Sequence, residues 1–467
     1  MKEPKVITVP NLKLNEVTEK VTSFEFHSNT LKTQIAEMVK VLRQEGGIGL
    51  AANQLGFKNR LITIEFENVE KKNAKDRIPL TIFINPEIIK YSPELECFEE
   101  GCLSVPKIEL EVERPLKLKL KYQNVNGRRL KIAPKGLLAR IIQHEIDHLN
   151  GILFTERAKE QFFSKYPEFK NLKIAFLGSG EFGAVILEGL ILLGLNLEIY
   201  TEKSKPAGRN QETKLTAVAE VATKFGKKYI EIDDISHLSP ITYNLLLCCD
   251  FGQKIPNSIL QKAKIAAINI HPSLLPKYIG PTPIQTAILN GDKTTGVSII
   301  KMTDKIDEGP IYSQIETDIL ENDTTFLLRD RLATLALKLL IKTLPKIARD
   351  ELELIKQDLS KAIRTRKFTK TDGEIDWKKS SEKIEAQIRA FYPWPGSYTR
   401  LPAPEAAGNG GQAYINGKRL IIHKAHLKNN KLVLEFVQPE GKKPMKFSEF
   451  VHGLHGQKPK WFEKIKF

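Results

Sequence analysis

The sequence is poor in cysteine and has no long apolar run. Its 467 residues include four cysteines, too few for a disulfide scaffold, which favours a protein of the reducing cytoplasm. No stretch of about 18 uncharged apolar residues occurs, and residues 1–4 lead into no apolar signal core. We therefore expect a cytoplasmic protein that does not cross a membrane. The sequence also has no repeat and no low-complexity tract.

Positive charge is concentrated towards the C-terminal end. The whole chain has a net charge of +16. Residues 361–467 contain 22 lysines and arginines against 10 aspartates and glutamates, a net charge of +12. Such a surface can simply be well solvated, or it can bind a polyanion such as RNA. Composition alone leaves both interpretations open.

Length and local pattern predict a multidomain protein with three domains. Polar joints separate residues 1–168, 172–360 and 373–467. The first block mixes alternating strand patterns with a helical pattern from 137 to 149, which predicts an α+β domain. The second begins strand, glycine turn, helix, strand, which predicts a parallel, Rossmann-like α/β domain. In the third, short strands between Asn-Gly and Asn-Asn turns predict a small, OB-like β-barrel.

The strongest chemical signal in the first block is an H-E-x-x-H run. His144 and His148 are one helical turn apart, so both imidazoles can bind one metal ion. Glu145 lies beside the first ligand, where a carboxylate can act as a general base on water. The same pattern also arises by chance on solvated helices. Cys102, in a glycine-flanked segment, would complete an S,N,N ligand set with one open position.

A glycine-rich run farther upstream adds a candidate oxyanion donor. This run covers residues 47–54 (GIGLAANQ), where the glycines allow close backbone approach and Gln54 can donate an amide N–H. The run is followed by EGCLS at 100–104 and QHEIDH at 143–148. The three segments, in this order and spacing, resemble the signature of the peptide deformylases.

That resemblance implies removal of the formyl group from N-formylmethionyl peptides. It implies Fe²⁺ as the native metal, with Zn²⁺ or Ni²⁺ as substitutes, since a thiolate–imidazole set suits several divalent ions. It assigns Gln54 and the Leu103 N–H to the oxyanion, Glu145 to proton transfer, and Gly49 to the substrate. Cys97 matches no motif position, and we expect it to be simply buried.

The second block opens with a motif typical of dinucleotide binding. Gly178, Gly180 and Gly183 form a G-x-G-x-x-G run between a predicted strand and a predicted helix. Glu198 falls 20 residues after Gly178, near the end of the next strand, where an acid can bind a ribose hydroxyl. An NAD-binding enzyme or module is therefore one alternative for this block.

A later pattern in the same block points to formyl chemistry. Asn269 and His271 lie two residues apart at the end of a predicted strand, and Asp307 precedes a Glu-Gly pair. When an amine attacks a formyl carbon, an oxyanion develops and the nitrogen must lose a proton. The Asn269 amide and a protonated His271 can hold the oxyanion, while Asp307 can orient His271 or take the proton. An isolated Asn-x-His is more often a satisfied turn.

This pattern resembles that of the 10-formyltetrahydrofolate-dependent transferases, which share the NIHPSLLP run at 269–276 and the DEG run at 307–309. The resemblance implies catalytic roles for Asn269, His271 and Asp307, with 10-formyltetrahydrofolate as co-substrate. The substrate-binding residues that it implies are Arg209, Ser273, Leu274, Leu275 and Pro276. The implied folate-binding residues are Phe251, Gly252, Ile255 and Pro256.

Two segments favour tRNA as the formyl acceptor. PAGR at 206–209 resembles a loop of methionyl-tRNA formyltransferases that reaches towards the acceptor stem, and residues 389–396 resemble the start of their C-terminal domain. The basic third block suits an RNA backbone. We therefore expect initiator methionyl-tRNA as one partner, and N-formylmethionyl nascent peptides near the ribosome as the other.

Two departures from the family and three alternatives stand beside this interpretation. The family usually has G-T-P-x-F-A where this chain has 178–183, and Arg where this chain has Ile279. The alternatives are a chain in which one half alone is active, a sugar or nucleotide formyltransferase, and an NAD-binding or RNA-binding module. The Asn269, His271 and Asp307 set argues against hydride transfer, which does not require it.

Overall fold

The chain folds into two compact units. The computed structural model describes residues 4–67, 77–207, 212–237, 242–401, 418–453, 461–462 and 465. The first unit comprises Met1–Leu172, Leu187–Leu197 and Glu220–Lys228, and the second comprises Lys173–Ile186, Glu198–Ala219 and Tyr229–Phe467. The three domain boundaries drawn from the sequence remain predictions. Within the described ranges, no helix has both the length and the apolar character that crossing a membrane requires.

An antiparallel five-stranded sheet forms the centre of the first unit. Its strands in spatial order are β1 (Gly49–Ala51), β2 (Leu61–Glu67), β3 (Arg77–Tyr91), β6 (Leu118–Gln123) and β7 (Arg129–Ile132). A separate antiparallel hairpin joins β4 (Leu95–Cys102) to β5 (Val105–Pro115).

Three α-helices accompany this sheet: α1 (Asn29–Gln44), α2 (Gly136–Leu149) and α3 (Phe154–Lys165). Helix α2 buries Ile142, Ile146 and Leu149 in one cluster with apolar residues of β2 and β3. These positions share one helix face because they are three or four residues apart. The core therefore fixes the rotation of α2 and, with it, the direction of the H-E-x-x-H side chains. Helices beside antiparallel strands agree with the α+β pattern expected for this block.

A seven-stranded sheet runs through residues 174–318. Its strands in spatial order are β12 (Tyr229–Ile232), β9 (Leu197–Glu202), β8 (Ile174–Gly178), β13 (Tyr243–Cys249), β14 (Ala263–His271), β15 (Thr294–Lys301) and β16 (Ile311–Asp318). The pairs β12–β9, β8–β13 and β13–β14 are parallel, whereas β14–β15 and β15–β16 are antiparallel. A small hairpin pairs β10 (Lys205–Ala207) with β11 (Glu212–Lys214).

The sheet is mixed, whereas the strand–helix–strand pattern predicted a parallel one. The connection from β15 to β16, residues 302–310, is too short for the crossover that two parallel strands need. The helices of this region are α4 (Glu181–Leu192), α5 (Ala217–Lys224), α6 (Asn257–Leu260), α7 (Pro283–Asn290) and α8 (Thr325–Ala348). Gly178, Cys249 and His271 end three adjacent parallel strands, so the segments that follow them meet at one edge of the sheet. In open α/β sheets, ligands bind at this edge.

The end of the chain forms a smaller antiparallel sheet. It consists of β17 (Ser397–Arg400), β18 (Arg419–Lys428), β19 (Lys431–Pro439) and β20 (Met445–Lys446), with helices α9 (Ser381–Ala390) and α10 (Phe447–His452). Alternate residues of β18 and β19 face a buried core that also holds Trp461 and Phe462. A closed, OB-like barrel remains a prediction, since the described residues form this four-stranded sheet.

Candidate active sites

Helix α2 and the end of β4 bring three metal-ligand types together in the first unit. The sulfur of Cys102 and one ring nitrogen each of His144 and His148 all lie within 4.8 Å of one another. The Cys102 Sγ lies 3.1 Å from His148 Nε2. His144 Nδ1 lies 2.9 Å from Glu100 Oε2, which leaves Nε2 of the same ring for a metal. The spacing predicted from the sequence is therefore realised in the fold.

The charges in this cluster favour the thiolate form of Cys102. Burial alone would raise the pKa of the Cys102 thiol, but the neighbouring charge of His148 and hydrogen bonds from both histidines lower it well below its ordinary value. Thiolate is the form of cysteine that binds metals. Burial raises the pKa of Glu145 to about 7. The Glu145 Oε2 is buried and has no hydrogen-bond partner among the described residues.

Gln54 and Gly49 complete the wall of this site. Gln54 Nε2 donates to Ser104 Oγ at 3.1 Å and to Cys102 Sγ at 3.5 Å, while its Oε1 accepts from the Ala51 N–H at 2.8 Å. This arrangement fixes the amide with its N–H₂ group towards the sulfur. Gly49 and Leu103 line the same cleft, which has a volume of about 510 Å³. All the residues that the sequence predicted for the first site therefore converge.

The second predicted site lies at the carboxyl end of β14. Asn269 Nδ2 donates to Asp307 Oδ1 at 2.8 Å, and His271 Nδ1 lies 3.5 Å from Asp307 Oδ2. His271 Nε2 lies 2.9 Å from the carbonyl oxygen of Tyr278, so Nε2 carries a proton and donates it. The Gly280 N–H donates to Asp307 Oδ2 at 3.0 Å. His271 and Asp307 are both buried, and the Asp307 carboxylate accepts hydrogen bonds from Asn269 and Gly280 in a site with little solvent.

Comparison with known proteins identifies the two parts of the chain. The family model for polypeptide deformylase matches residues 4–162, that for formyl transferase matches 172–344, and that for the formyl transferase C-terminal domain matches 367–455. A methionyl-tRNA formyltransferase of Lactobacillus gasseri is 34% identical over 299 residues, which cover 60% of this chain and 95% of that protein. The chain belongs to the methionyl-tRNA formyltransferase family and carries a polypeptide deformylase domain.

Further relatives fall into the same two groups. A methionyl-tRNA formyltransferase of Lactobacillus delbrueckii subsp. bulgaricus is 35% identical over 318 residues, which cover 62% of this chain and 98% of that protein. Among solved structures, a class I type b peptide deformylase of Acinetobacter baumannii with bound Met-Ala-Ser shares 34% identity, covering 33% of this chain and 96% of the other, with a TM-score of 0.30. A peptide deformylase of Synechococcus elongatus in complex with actinonin is 36% identical in sequence. The match covers 34% of this chain and 81% of the other, with a TM-score of 0.30.

The deformylase domain contains a buried charge network that sequence analysis missed. Arg114 donates to both oxygens of Glu100, at 2.6 and 2.9 Å, and to Asp147 Oδ2 at 2.7 Å. Glu100 is the residue that contacts His144 Nδ1. Although burial alone would raise it, hydrogen bonds from His144 and Arg114 lower the pKa of Glu100 to about 2. Arg114 thus holds the carboxylate that orients a ligand histidine.

In the formyltransferase domain, the glycine loop packs against the chain itself. A Cβ on Gly180 would lie 1.8 Å from Asp250 Oδ2, and one on Gly178 or Gly183 would lie 2.7 Å from the Cys249 carbonyl oxygen. The Asp250 carboxylate also accepts from the Phe182 N–H in the first turn of α4. Burial raises the pKa of this carboxyl group. The helix terminus that a dinucleotide pyrophosphate would need is therefore occupied by a side chain of the protein.

The expected ribose acid is also in the wrong place. Glu198 is the second residue of β9, at the end of that strand away from the glycine loop, and not near its carboxyl end as predicted. The strand runs from Leu197 to Glu202, so the residue 20 positions after Gly178 lies near its start. The edge of the sheet where ligands bind is at the other end of the strand. Glu202 ends the strand instead, and its carboxylate lies beside Gly252.

The predicted substrate- and folate-binding residues differ in their exposure. Ser273 is fully buried and its hydroxyl donates to the Lys277 carbonyl oxygen at 2.6 Å. Leu275 and Ile255 are core residues. Leu274, Pro276, Phe251 and Pro256 are partly exposed, and Gly252 is exposed. The proposal of direct substrate or folate contact is therefore stronger for these exposed positions than for the buried side chains.

Two remaining predictions have different outcomes. Cys97 is exposed, not buried, because its strand belongs to a two-stranded hairpin in which residues 95–99 are all exposed. Arg209 lies outside the described residues, as does Gly208 of the same sequence motif. Its assignment to tRNA binding remains a prediction.

Proposed function

We propose that both catalytic domains are active. The deformylase domain would remove formyl from N-formylmethionyl nascent peptides, close to the ribosome in the cytoplasm. The formyltransferase domain would transfer formyl from 10-formyltetrahydrofolate to the amino group of initiator methionyl-tRNA. The observation that carries the proposal is that both residue sets, widely separated in sequence, converge into buried clusters of matching chemistry.

In the deformylase domain, Cys102, His144 and His148 would hold a divalent metal. The donor set of one thiolate and two imidazoles fits such an ion, and Glu100 already fixes the tautomer of His144. Iron, zinc and nickel all suit these ligands. When bound, the metal supplies Lewis acidity and lowers the pKa of water in the site.

Glu145 would move the proton of the hydrolysis. Its carboxylate is buried beside the ligands and has an oxygen free of partners among the described residues, which suits proton transfer better than structural support. Water adds to the formyl carbon, the carbon–nitrogen bond breaks, and Glu145 passes the water proton to the departing amine. The Gln54 amide and the Leu103 N–H would donate to the oxyanion that develops on the formyl oxygen. The products are formate and a free N-terminus.

In the formyltransferase domain, the amine of methionine would attack the formyl carbon of the folate. The Asn269 amide would donate to the oxyanion, exchanging its present bond to Asp307 for the substrate. Because His271 Nε2–H donates to Tyr278, the other ring nitrogen, Nδ1, is the one that faces the reaction. Asp307, directly or through this nitrogen, would accept the amine proton, and the folate nitrogen departs with a proton.

The C-terminal domain would bind the tRNA backbone. An exposed turn at Asn429 and Asn430 joins β18 to β19, and the exposed residues Lys428 and Lys431 flank this turn. The net charge of +12 over residues 361–467 supports a polyanionic partner. A formyltransferase with a small acceptor, such as a nucleotide sugar, does not need a basic block of this size.

One preparation of the full chain tests the proposal. We expect the purified protein to contain a divalent metal and to formylate methionyl-tRNA when 10-formyltetrahydrofolate is added. The Cys102→Ala variant should lose the metal, measured by elemental analysis, while its formyl transfer stays at the wild-type rate. Full metal occupancy in Cys102→Ala would contradict the ligand set, and transfer to a nucleotide sugar but not to tRNA would contradict the acceptor.

A further inference from the structure

The segment that follows α8 is attached to the catalytic turn of the formyltransferase domain. Gln357 is buried, and its Nε2 donates to the carbonyl oxygens of Asp307 at 2.8 Å and Gly309 at 2.6 Å. Asp307 has a left-handed backbone, with φ of 57°, which these bonds help to hold. Ile355 pairs with Ile311 through two backbone hydrogen bonds. The linker to the C-terminal domain is therefore part of the site's scaffold.

Farther along the same segment, Arg364 lies opposite Ile279 in a parallel bridge. The Ile279 N–H donates to the Ile363 carbonyl oxygen at 2.9 Å, and the Thr365 N–H donates to the Ile279 carbonyl oxygen at 2.7 Å. The next residue, Gly280, donates its N–H to the Asp307 carboxylate. The backbone of Arg364 is thus bridged to Ile279, and the residue that follows Ile279 contacts the proposed catalytic acid directly.

The side chain of Arg364 also reaches the catalytic turn. Its guanidinium forms an ion pair with Glu308, the neighbour of Asp307, and 64% of the arginine side chain remains exposed. Lys305 Nζ lies 3.9 Å from the other oxygen of Glu308 and is also exposed. Two exposed cations, Arg364 and Lys305, thus share the carboxylate of Glu308 at the rim beside Asp307.

Ile279 occupies the position where the family usually has arginine, and it cannot supply a charge. Its side chain is 2% exposed and packs in a cluster with Leu275, Ile300 and Ile311. Arg364, which lies across the bridge from Ile279, does place a guanidinium at this rim.

We propose that Arg364 binds a backbone phosphate near the 3′ end of methionyl-tRNA and so contributes to the affinity for this substrate. This inference rests on the proposed function. The methionine that carries the reactive amine is esterified through its carboxyl group to the terminal ribose, so the nearest anions on this substrate are the phosphates that flank the last nucleotides. A guanidinium matches phosphate oxygens with two parallel hydrogen bonds. Arg364 also lies on the segment that leads into the basic C-terminal domain, which favours tRNA over the folate as the anion.

Steady-state formylation by the full chain tests this role. Arg364→Ala should raise the KM for methionyl-tRNA by roughly tenfold, because a charged hydrogen-bond partner is lost, and should change kcat by less than about twofold. The KM for 10-formyltetrahydrofolate should stay the same. The log–log salt dependence of tRNA affinity should become shallower by about one unit. Arg364→Lys keeps the charge but cannot donate two parallel hydrogen bonds. Its KM for methionyl-tRNA should therefore lie between those of wild type and Arg364→Ala.

A matched control separates this contact from a general loss of charge. Arg43 forms a similarly exposed ion pair with Glu65 in the deformylase domain, and Arg43→Ala should leave the KM for tRNA unchanged. The deformylation rate of each variant checks that the chain is folded.

An unchanged KM for tRNA in Arg364→Ala would overturn the proposal. A rise in the folate KM instead, or a fall in kcat alone, would also overturn it, because the first places the folate at Arg364 and the second indicates an effect through Glu308. Failure of the wild-type chain to formylate methionyl-tRNA would be a distinct result, since it removes the proposed function and this inference with it.

Discussion

Replacing Gly49 by alanine adds one methyl group to the wall of the deformylase cleft, directly against the proposed general base. The new Cβ would lie 2.4 Å from Glu145 Oε1 and 2.9 Å from both Glu145 Cδ and Ile141 Cγ2. Ordinary contacts between such atoms are about 3.5 Å or longer. The carboxylate must therefore retreat by about 1 Å, since Ile141 is packed in the core and has little room to move.

A displacement of this size predicts a large effect on catalysis and a small one on the metal. Moving a catalytic group by about 1 Å costs on the order of 100-fold in rate. The loss should appear in kcat, because Glu145 acts in the chemical step. The three atoms nearest to the added Cβ belong to Glu145 and Ile141, so the metal content should stay that of the wild type.

The assay is deformylation of an N-formylmethionyl peptide at saturating concentration, with metal analysis of the same sample. Gly47→Ala is the matched control, because its added Cβ would meet the side-chain ends of Leu103 and Leu42 and not the carboxylate of Glu145. We expect a loss of less than about tenfold there. A kcat of Gly49→Ala within about threefold of wild type would refute the reasoning, as would a fall in kcat that merely follows loss of metal.

Two further predictions concern stability and cofactor choice. Arg114→Met removes one buried partner each from Glu100, which keeps Arg140, and from Asp147, which keeps Arg157. It should lower the free energy of unfolding of the deformylase domain by about 3 kcal/mol, measured by urea denaturation, against about 0–1 kcal/mol for the exposed Arg43→Ala. Similar values for the two variants would show that the network does not stabilise the domain. Titration with NAD should detect no micromolar binding, because Asp250 fills the glycine loop, whereas a folate analogue should bind; tight NAD binding would contradict that assignment.

Sequence pattern located the metal ligands because two of them are neighbours on one helix. The i, i+4 spacing fixes His144 and His148 on the same face of α2 whatever the tertiary fold. Cys102 is 42 residues away from His144, so no spacing rule places it; its chemistry made it a candidate ligand, and the family resemblance supported that choice. The same holds for Asp307, which is 38 residues from Asn269 and meets it only through the packing of β14 against a later turn.

Long-range polar contacts were the part that local pattern did not reveal. Arg114 joins Glu100 and Asp147, which are 14 and 33 residues away. A signal did exist: in β5 the buried positions alternate through Ile108, Leu110, Val112 and Arg114, and an arginine in that series must have an internal partner. Likewise, the G-x-G-x-x-G run correctly predicts that another group lies close to the glycine backbone, but it does not identify that group. In this structure the group is the end of β13 together with Asp250.

The central claim is that one chain carries two independent active sites, and paired activity measurements on two variants test it most directly. Glu145→Gln should abolish deformylation of an N-formylmethionyl peptide and leave formylation of methionyl-tRNA at the wild-type rate. Asp307→Asn, which removes the proton acceptor but keeps the shape, should do the reverse. Loss of both activities in either variant, or the absence of one activity from the wild-type chain, would contradict the account.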